Sequence, residues 1–362
     1  MSDISEIKEE EVLIPYVDIE KDETDEIPDD NNYKLNNYGI DFDVDGLVRR
    51  LKNDSIYLPD FQRNYVLTLK KASKFIESLL LGLPIPGVFL YKEEVDQKML
   101  IIDGFQRLET LKMFYSGVFG KKAFKLVDVI PEFEGKSYTS LAEEYKRKLD
   151  DTLIHATIVK ADDPKEKNFN AIYMIFERLN TGGMNLSPQE IRNCVSHGTL
   201  QKKLISLSQE PEVSRILKLD PKRKKDQEII LRLIALSYDY QSYNGNMKMY
   251  LNDFMFENKD LDNTKVVDIV NQFKEICNFL ISLEIDDIIR PNASLNIAIL
   301  DSIWVGVYHM FNSNQKQDRE IVKSKIEKLV QEKTFTDAIL TGRTHHTESV
   351  KKRIGFSIKE LA

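Results

Sequence analysis

A carboxylate, a glycine, an amide and a guanidinium fall within five residues at Asp103-Gly104-Phe105-Gln106-Arg107. They follow the apolar run Met99-Leu100-Ile101-Ile102 and precede Leu108, Leu111, Phe114 and Tyr115 at helical spacing, with Gly117 as the closing residue. A buried strand that turns at once into an amphipathic helix aims the first backbone N–H groups of that helix at whatever lies above the turn. The helix dipole favours an anion there. Gly104 would let a ligand approach the backbone, Asp103 would supply a carboxylate, and Arg107 would offer a planar fork that suits phosphate. The plainer reading makes Asp103 a helix N-cap and Gly104 a turn residue. Both readings leave Gln106, Glu109, Thr110 and Arg107 off the buried stripe, so Arg107 is expected to be dispensable for folding.

Two other stretches concentrate polar groups. Pro59 to Val66 (Pro-Asp-Phe-Gln-Arg-Asn-Tyr-Val) reads as a polar loop flanked by aromatics. Phe176 to Asn193 reads as helix, loop, helix: Gly182 and Gly183 suit a left-handed C-cap, and Ser187-Pro188 with Glu190 is a capping box. Capping does not account for Glu177, Arg178, Asn180, Thr181, Arg192 and Asn193, whose density suits a lined site.

The elements that position these residues follow from periodicity. Helices are expected over 44–51, 69–83 and 165–179, and strands over 56–58, 88–91, 123–127 and 153–159. His155, inside the last strand, is expected to be a satisfied polar residue rather than a ligand. Beyond residue 200 the pattern is almost wholly helical, with apolar stripes over 228–238, 266–283, 295–311 and 321–330. Basic clusters at Lys222 to Lys225 and Lys351 to Arg353 read either as solvated faces or as contacts to a phosphate backbone. The adjacent His345 and His346 lack a carboxylate constellation that would suit a metal.

At 362 residues, with 42% hydrophobic and 30% charged side chains, the chain can build two cores. No apolar run approaches the length of a membrane span, the N-terminus is acidic rather than basic, and two cysteines exclude a cysteine-rich zinc site. These features point to a cytoplasmic protein. The net charge of −8 is unevenly distributed. Residues 1–30 carry thirteen acidic side chains and two lysines, a balance of −11, and the remainder carries 49 basic and 46 acidic side chains, or +3. The acidic segment is expected to be disordered, with a fold-back over a basic cleft as the sharper alternative.

Pro59 to Val66, Ile101 to Arg107 and Phe176 to Asn193 together resemble, in order and spacing, the N-terminal domain family of GmrSD-type restriction endonucleases. That family has a ParB-like nucleotide-binding fold and a motif of the form Asp-Gly-Gln-Gln-Arg. Lys224 to Arg232 and Gly342 to Ile354 extend the resemblance into the helical half. With the charge and periodicity above it gives an α+β chain: an acidic disordered tail over 1–32, a domain over 33–200 that the resemblance makes ParB-like mixed α/β, and an all-α domain over 201–362. It further implies an NTPase of a prokaryotic anti-phage restriction system that couples turnover to recognition or cleavage of DNA, including modified phage DNA. The alternatives are a nucleotide-gated DNA-binding regulator without turnover, and a ParB-like nuclease that acts on DNA directly. Carried over by position, Asp103 and Arg107 would be catalytic, with Asp103 also holding Mg²⁺. Gln62, Arg63, Gly104, Gln106, Asn180 and Gly183 would bind the NTP. Phe105 departs from the motif, where the family has glutamine, and removes one hydrogen-bonding group. No histidine nuclease motif follows, so a separately encoded nuclease or effector is an expected partner.

Overall fold

The computed structural model describes residues 35–58, 65–93, 96–161, 169–179, 187–219, 224–291, 293–313, 318–340 and 345–362. The acidic tail, Gln62, Arg63, Asn180, Gly183, Lys222 and Arg223 lie outside them. The chain divides into two compact units, one of residues 30–186 and 190–195, the other containing 187–189 and 196–362. The architecture is mixed α+β, with strands confined to the first unit and helices filling the second among the described residues.

The first unit runs β1 (Leu35–Asp43), α1 (Val44–Lys52), β2 (Ile56–Tyr57), α2 (Leu69–Leu81), β3 (Val88–Lys92), β4 (Met99–Asp103) and α3 (Phe105–Ser116). A small hairpin of β5 (Val118–Phe119) and β6 (Lys122–Ala123) follows, then α4 (Glu143–Asp150), β7 (Leu153–Ala161), α5 (Phe169–Leu179) and α6 (Pro188–Val195). The sheet order is β1-β7-β3-β4-β2. β1 is antiparallel to β7, β7 parallel to β3, β3 antiparallel to β4, and β4 parallel to β2.

Alternation along the strands gives the sheet two apolar faces. Val88, Leu90, Ile101, Ile154, Ala156 and Ile158 pack on one face against Leu47, Ile76, Leu79, Leu108, Leu111 and Phe114 of α1, α2 and α3. Leu100 and Ile102 point the other way and meet Ile172, Tyr173, Phe176, Ile191 and Cys194 of α5 and α6. Helix ends carry the expected punctuation: Asp43 caps α1 through the Gly46 N–H, Thr68 caps α2, and Gly82 and Gly117 close α2 and α3 with φ of 78° and 74°.

The expected strand over 123–127 is not formed. Only Lys122–Ala123 pairs, with Val118–Phe119. Phe124 and Leu126 are buried, but their backbone follows α2 and the next loop: the Val127 N–H donates to Ser73 Oγ and the Ile130 N–H to Glu77 Oε1. Side chains of α2 therefore take the hydrogen bonds that a sheet partner would have taken.

The second unit comprises α7 (Thr199–Ser208), α8 (Pro211–Leu217), α9 (Lys225–Asp239), α10 (Met247–Glu257), α11 (Thr264–Ser282), α12 (Asp286–Ile289), α13 (Ile297–Asn312), α14 (Arg319–Leu329), α15 (Lys333–Leu340) and α16 (Thr347–Leu361). α13 is buried all round from Ile297 to Tyr308, which marks it as the central helix. Inside this core the Asp301 carboxylate of α13 accepts from Arg232 of α9, at 2.6 and 2.9 Å, and from Arg353 of α16 at 3.4 Å. Arg353 is fully buried, so it is not part of a basic surface with Lys351 and Lys352. A lone buried carboxylate is costly, and the two guanidiniums offset that cost. No helix among the described residues is long and apolar enough to cross a membrane.

Candidate functional site

The junction between β4 and α3 builds the site. A register shift in β3/β4 pairs Leu90 with Ile101 but Phe89 with Asp103, so β4 carries an extra residue just before its end. Such a bulge bends a strand and re-aims its side chains. The chain then turns at Gly104, whose φ is 98°. A Cβ there would lie 2.5 Å from Val88 Cγ1. Glycine is therefore required by both conformation and packing, and its missing side chain makes room for β3 rather than for a ligand.

Asp103 is not the N-cap. Gly104 holds that position, and no side chain caps the start of α3 among the described residues. Instead Asp103 Oδ2 accepts a charge-assisted hydrogen bond from Arg107 Nη2 at 2.8 Å, and Asp103 Oδ1 has no partner among the described residues. Arg107 Nη1 also donates to the carbonyls of Pro86 and Gly87, the latter at 2.7 Å. The Arg107 side chain is only 20% exposed. It ties the end of β4 to the segment entering β3, so its contacts argue against the expectation that folding can dispense with it. Its Nε–H and second Nη2–H have no protein acceptor among the described residues, which leaves two of its five donors unused.

Gln106 and Thr110, one turn apart on α3, fasten the chain that follows residue 64. Gln106 Oε1 accepts the Val66 N–H at 3.1 Å. Thr110 Oγ1 donates to the Gln106 carbonyl at 2.6 Å, and its only hydrogen is then in use. The Tyr65 hydroxyl must therefore be the donor in its 2.7 Å contact with Thr110 Oγ1. Burial holds the Tyr65 phenol above its ordinary pKa, which keeps that donor protonated. Thr110 is fully buried, contrary to its expected place off the apolar stripe, because its hydroxyl is satisfied from both sides. Phe105 turns into the apolar cluster under the sheet, so the departure from the glutamine motif adds core packing rather than a polar group at the turn.

Part of the second polar stretch is structural. Arg192 and Asn193 are almost fully buried, and the Arg192 guanidinium lies 5.9 Å from the centre of the Tyr173 ring. They are not free to line an open site. In the basic cluster before α9, Lys225 pairs with Glu228.

Sequence reading missed Tyr65, Thr110 and Gly87 as members of the constellation. Only Thr110 had a local signal, its i,i+4 spacing from Gln106. The pairing of Asp41 with His155 on neighbouring strands was also missed: His155 Nδ1 lies 2.7 Å from Asp41 Oδ1. Among the described residues no three His, Cys, Asp or Glu side chains converge as a metal cage.

A family model described as the GmrSD restriction endonuclease, N-terminal domain, matches residues 44–196. No curated protein and no solved structure matches the chain.

Proposed function

Residues 44–196 belong to the GmrSD restriction endonuclease N-terminal domain family, and from that premise we propose that the chain binds and hydrolyses a nucleoside triphosphate as part of a restriction system directed at phage DNA. The observation that carries this reading is the uncapped start of α3 beside an Arg107 fork fixed on one side and open on the other. Phosphate oxygens would take the helix N–H groups and the two remaining guanidinium donors. The ParB-like fold is part of the same proposal, supported by the family match and the mixed sheet.

Mg²⁺ suits this donor set, because it needs few protein ligands and takes most of its shell from water and phosphate. Asp103 Oδ1 would hold it, and it would neutralise charge on the phosphate chain. Gln62, Arg63, Asn180 and Gly183 join the proposed nucleotide site. For the first two, the support is that Tyr65 and Val66, two and three residues beyond Arg63, are fastened to α3. Turnover would then gate engagement of DNA, with cleavage left to a separately encoded nuclease or effector.

Phosphate release by the purified chain, measured over the four NTPs with and without phage DNA, tests the proposal. Release by the unaltered chain that is lost in an Arg107 variant still folded at the assay temperature supports it. Tight NTP binding without release would instead favour a nucleotide-gated regulator, and metal-dependent cutting without NTP a nuclease acting at the same residues.

A further inference from the structure

The end of the sheet that carries Asp103 and Arg107 also carries a second polar pair. Asp41 of β1 and His155 of β7 are directly opposite in the antiparallel register, so their side chains share a face. His155 Nδ1 meets Asp41 Oδ1 at 2.7 Å, and the two side chains are 58% and 57% exposed. A carboxylate only accepts, so Nδ1 carries the hydrogen and Nε2 is left as the proton-accepting nitrogen of the neutral ring. The imidazole lies against Gly39, where a Cβ would stand 2.6 Å from Cε1.

Strand register relates this pair to the phosphate site. β3 lies between β7 and β4, with Val88 level with Ala156 and Phe89 level with Asp103. Gly87 is then level with His155, and a Cβ at Gly87 would stand 2.8 Å from the His155 carbonyl oxygen. The Gly87 carbonyl in turn accepts from Arg107 Nη1. One residue thus touches the backbone of His155 on one side and the guanidinium of Arg107 on the other. Two strand spacings, about 10 Å, separate the backbones of β7 and β4, with β3 between them, a span that a polyphosphate lying across this end of the sheet would have to bridge.

We propose that Asp41 and His155 form a proton-transfer dyad that serves the phosphate site at Asp103 and Arg107. The proposal rests on the phosphate reading given above. As the oxygen of water bonds to the terminal phosphorus, His155 Nε2 takes a proton from that water, and the bond from this phosphorus to the bridging oxygen breaks. The water oxygen stays on the released phosphate, the bridging oxygen leaves with the nucleoside diphosphate, and the proton rests on the imidazolium. Asp41 orients the ring and stabilises its positive charge, which is a positioning role. A purely structural cross-strand pair would give stability alone.

The test compares the full chain with His155→Gln, His155→Ala and Asp41→Asn, measuring phosphate release, NTP binding by calorimetry and thermal melting. The expected result is a fall in release of about 10²-fold or more for His155→Gln, with nucleotide affinity and melting temperature kept and with part of the His155→Ala rate restored by added imidazole. Full activity in His155→Gln, or a loss that follows melting and is not restored by imidazole, would overturn the dyad while leaving the phosphate site standing. An unaltered chain that neither binds nor hydrolyses any of the four NTPs would overturn both, and that failure is seen before any variant is made.

Discussion

Gln106 Oε1 accepts the backbone N–H of Val66 across 40 residues of chain. An amide expected to face a nucleotide is thereby also the anchor of the segment that follows Gln62 and Arg63. One turn of α3 thus joins the proposed nucleotide site to the placement of Tyr65 and Val66.

Tyr65→Phe tests that link. It removes a hydrogen bond donated to buried Thr110, worth about 0.5–1.5 kcal/mol. The melting temperature should fall slightly and NTP affinity more clearly, because the loop loses its side-chain anchor. Thr110→Val should cost more, since it leaves Tyr65 Oη without its acceptor and removes the side-chain donor to the Gln106 carbonyl. Calorimetry and melting on the two variants settle the order.

Arg107→Ala should damage stability as well as binding. It leaves the Asp103 carboxylate and the Pro86 and Gly87 carbonyls without their common donor, for a cost of about 1–3 kcal/mol. Arg107→Lys should recover little, because an ammonium cannot span the carboxylate and the carbonyls together. A variant that melts normally would show that the fork is not structural.

Gly104→Ala should be destabilising by about 1–3 kcal/mol, from a positive φ and a Cβ pressed on Val88. Combining it with Val88→Ala should relieve the clash but not the conformational strain. The double variant is therefore expected to gain less than an additive relief would predict when melting is measured.

Alkaline pH should weaken the first unit. Tyr115 and Tyr138 both donate to Asp150, at 2.5 and 3.0 Å, and their rings stack at 4.1 Å. Burial, then the hydrogen bond to Asp150, pushes Tyr138 up to about 12 and Tyr115 further. Unfolded tyrosine loses its proton near pH 10, so in the window from about 10 to about 12 the unfolded chain binds fewer protons and stability falls as pH rises. Melting temperature against pH should drop less steeply in the Tyr115→Phe, Tyr138→Phe double variant.

Local pattern made β4 and α3 legible: an apolar run broken by Asp-Gly, then helical spacing up to Gly117. α9, α11, α13 and α14 were legible for the same reason, because helical periodicity is a short-range signal. β1 was not, because Asn36, Asn37, Gly39 and Asp41 interrupt its apolar residues, as suits a strand paired only with β7 among the described residues. Phe124 and Leu126 misled through burial without pairing. Arg107 was placed correctly on its helix, but its acceptors lie some twenty residues away on a segment whose position depends on strand order. Arg353 was read as surface charge because nothing near it in the chain announces Asp301.

The cluster around Asp301 sets an order of events during synthesis. Asp301 emerges after Arg232, its closer guanidinium, and 52 residues before Arg353. Until then the centre of the helical unit holds one cation from α9 against a carboxylate that α16 has still to cover. A chain that stopped within those 52 residues would keep the Arg232–Asp301 pair but lack Val350, Ile354 and Leu361, the apolar residues with which α16 closes the core over it.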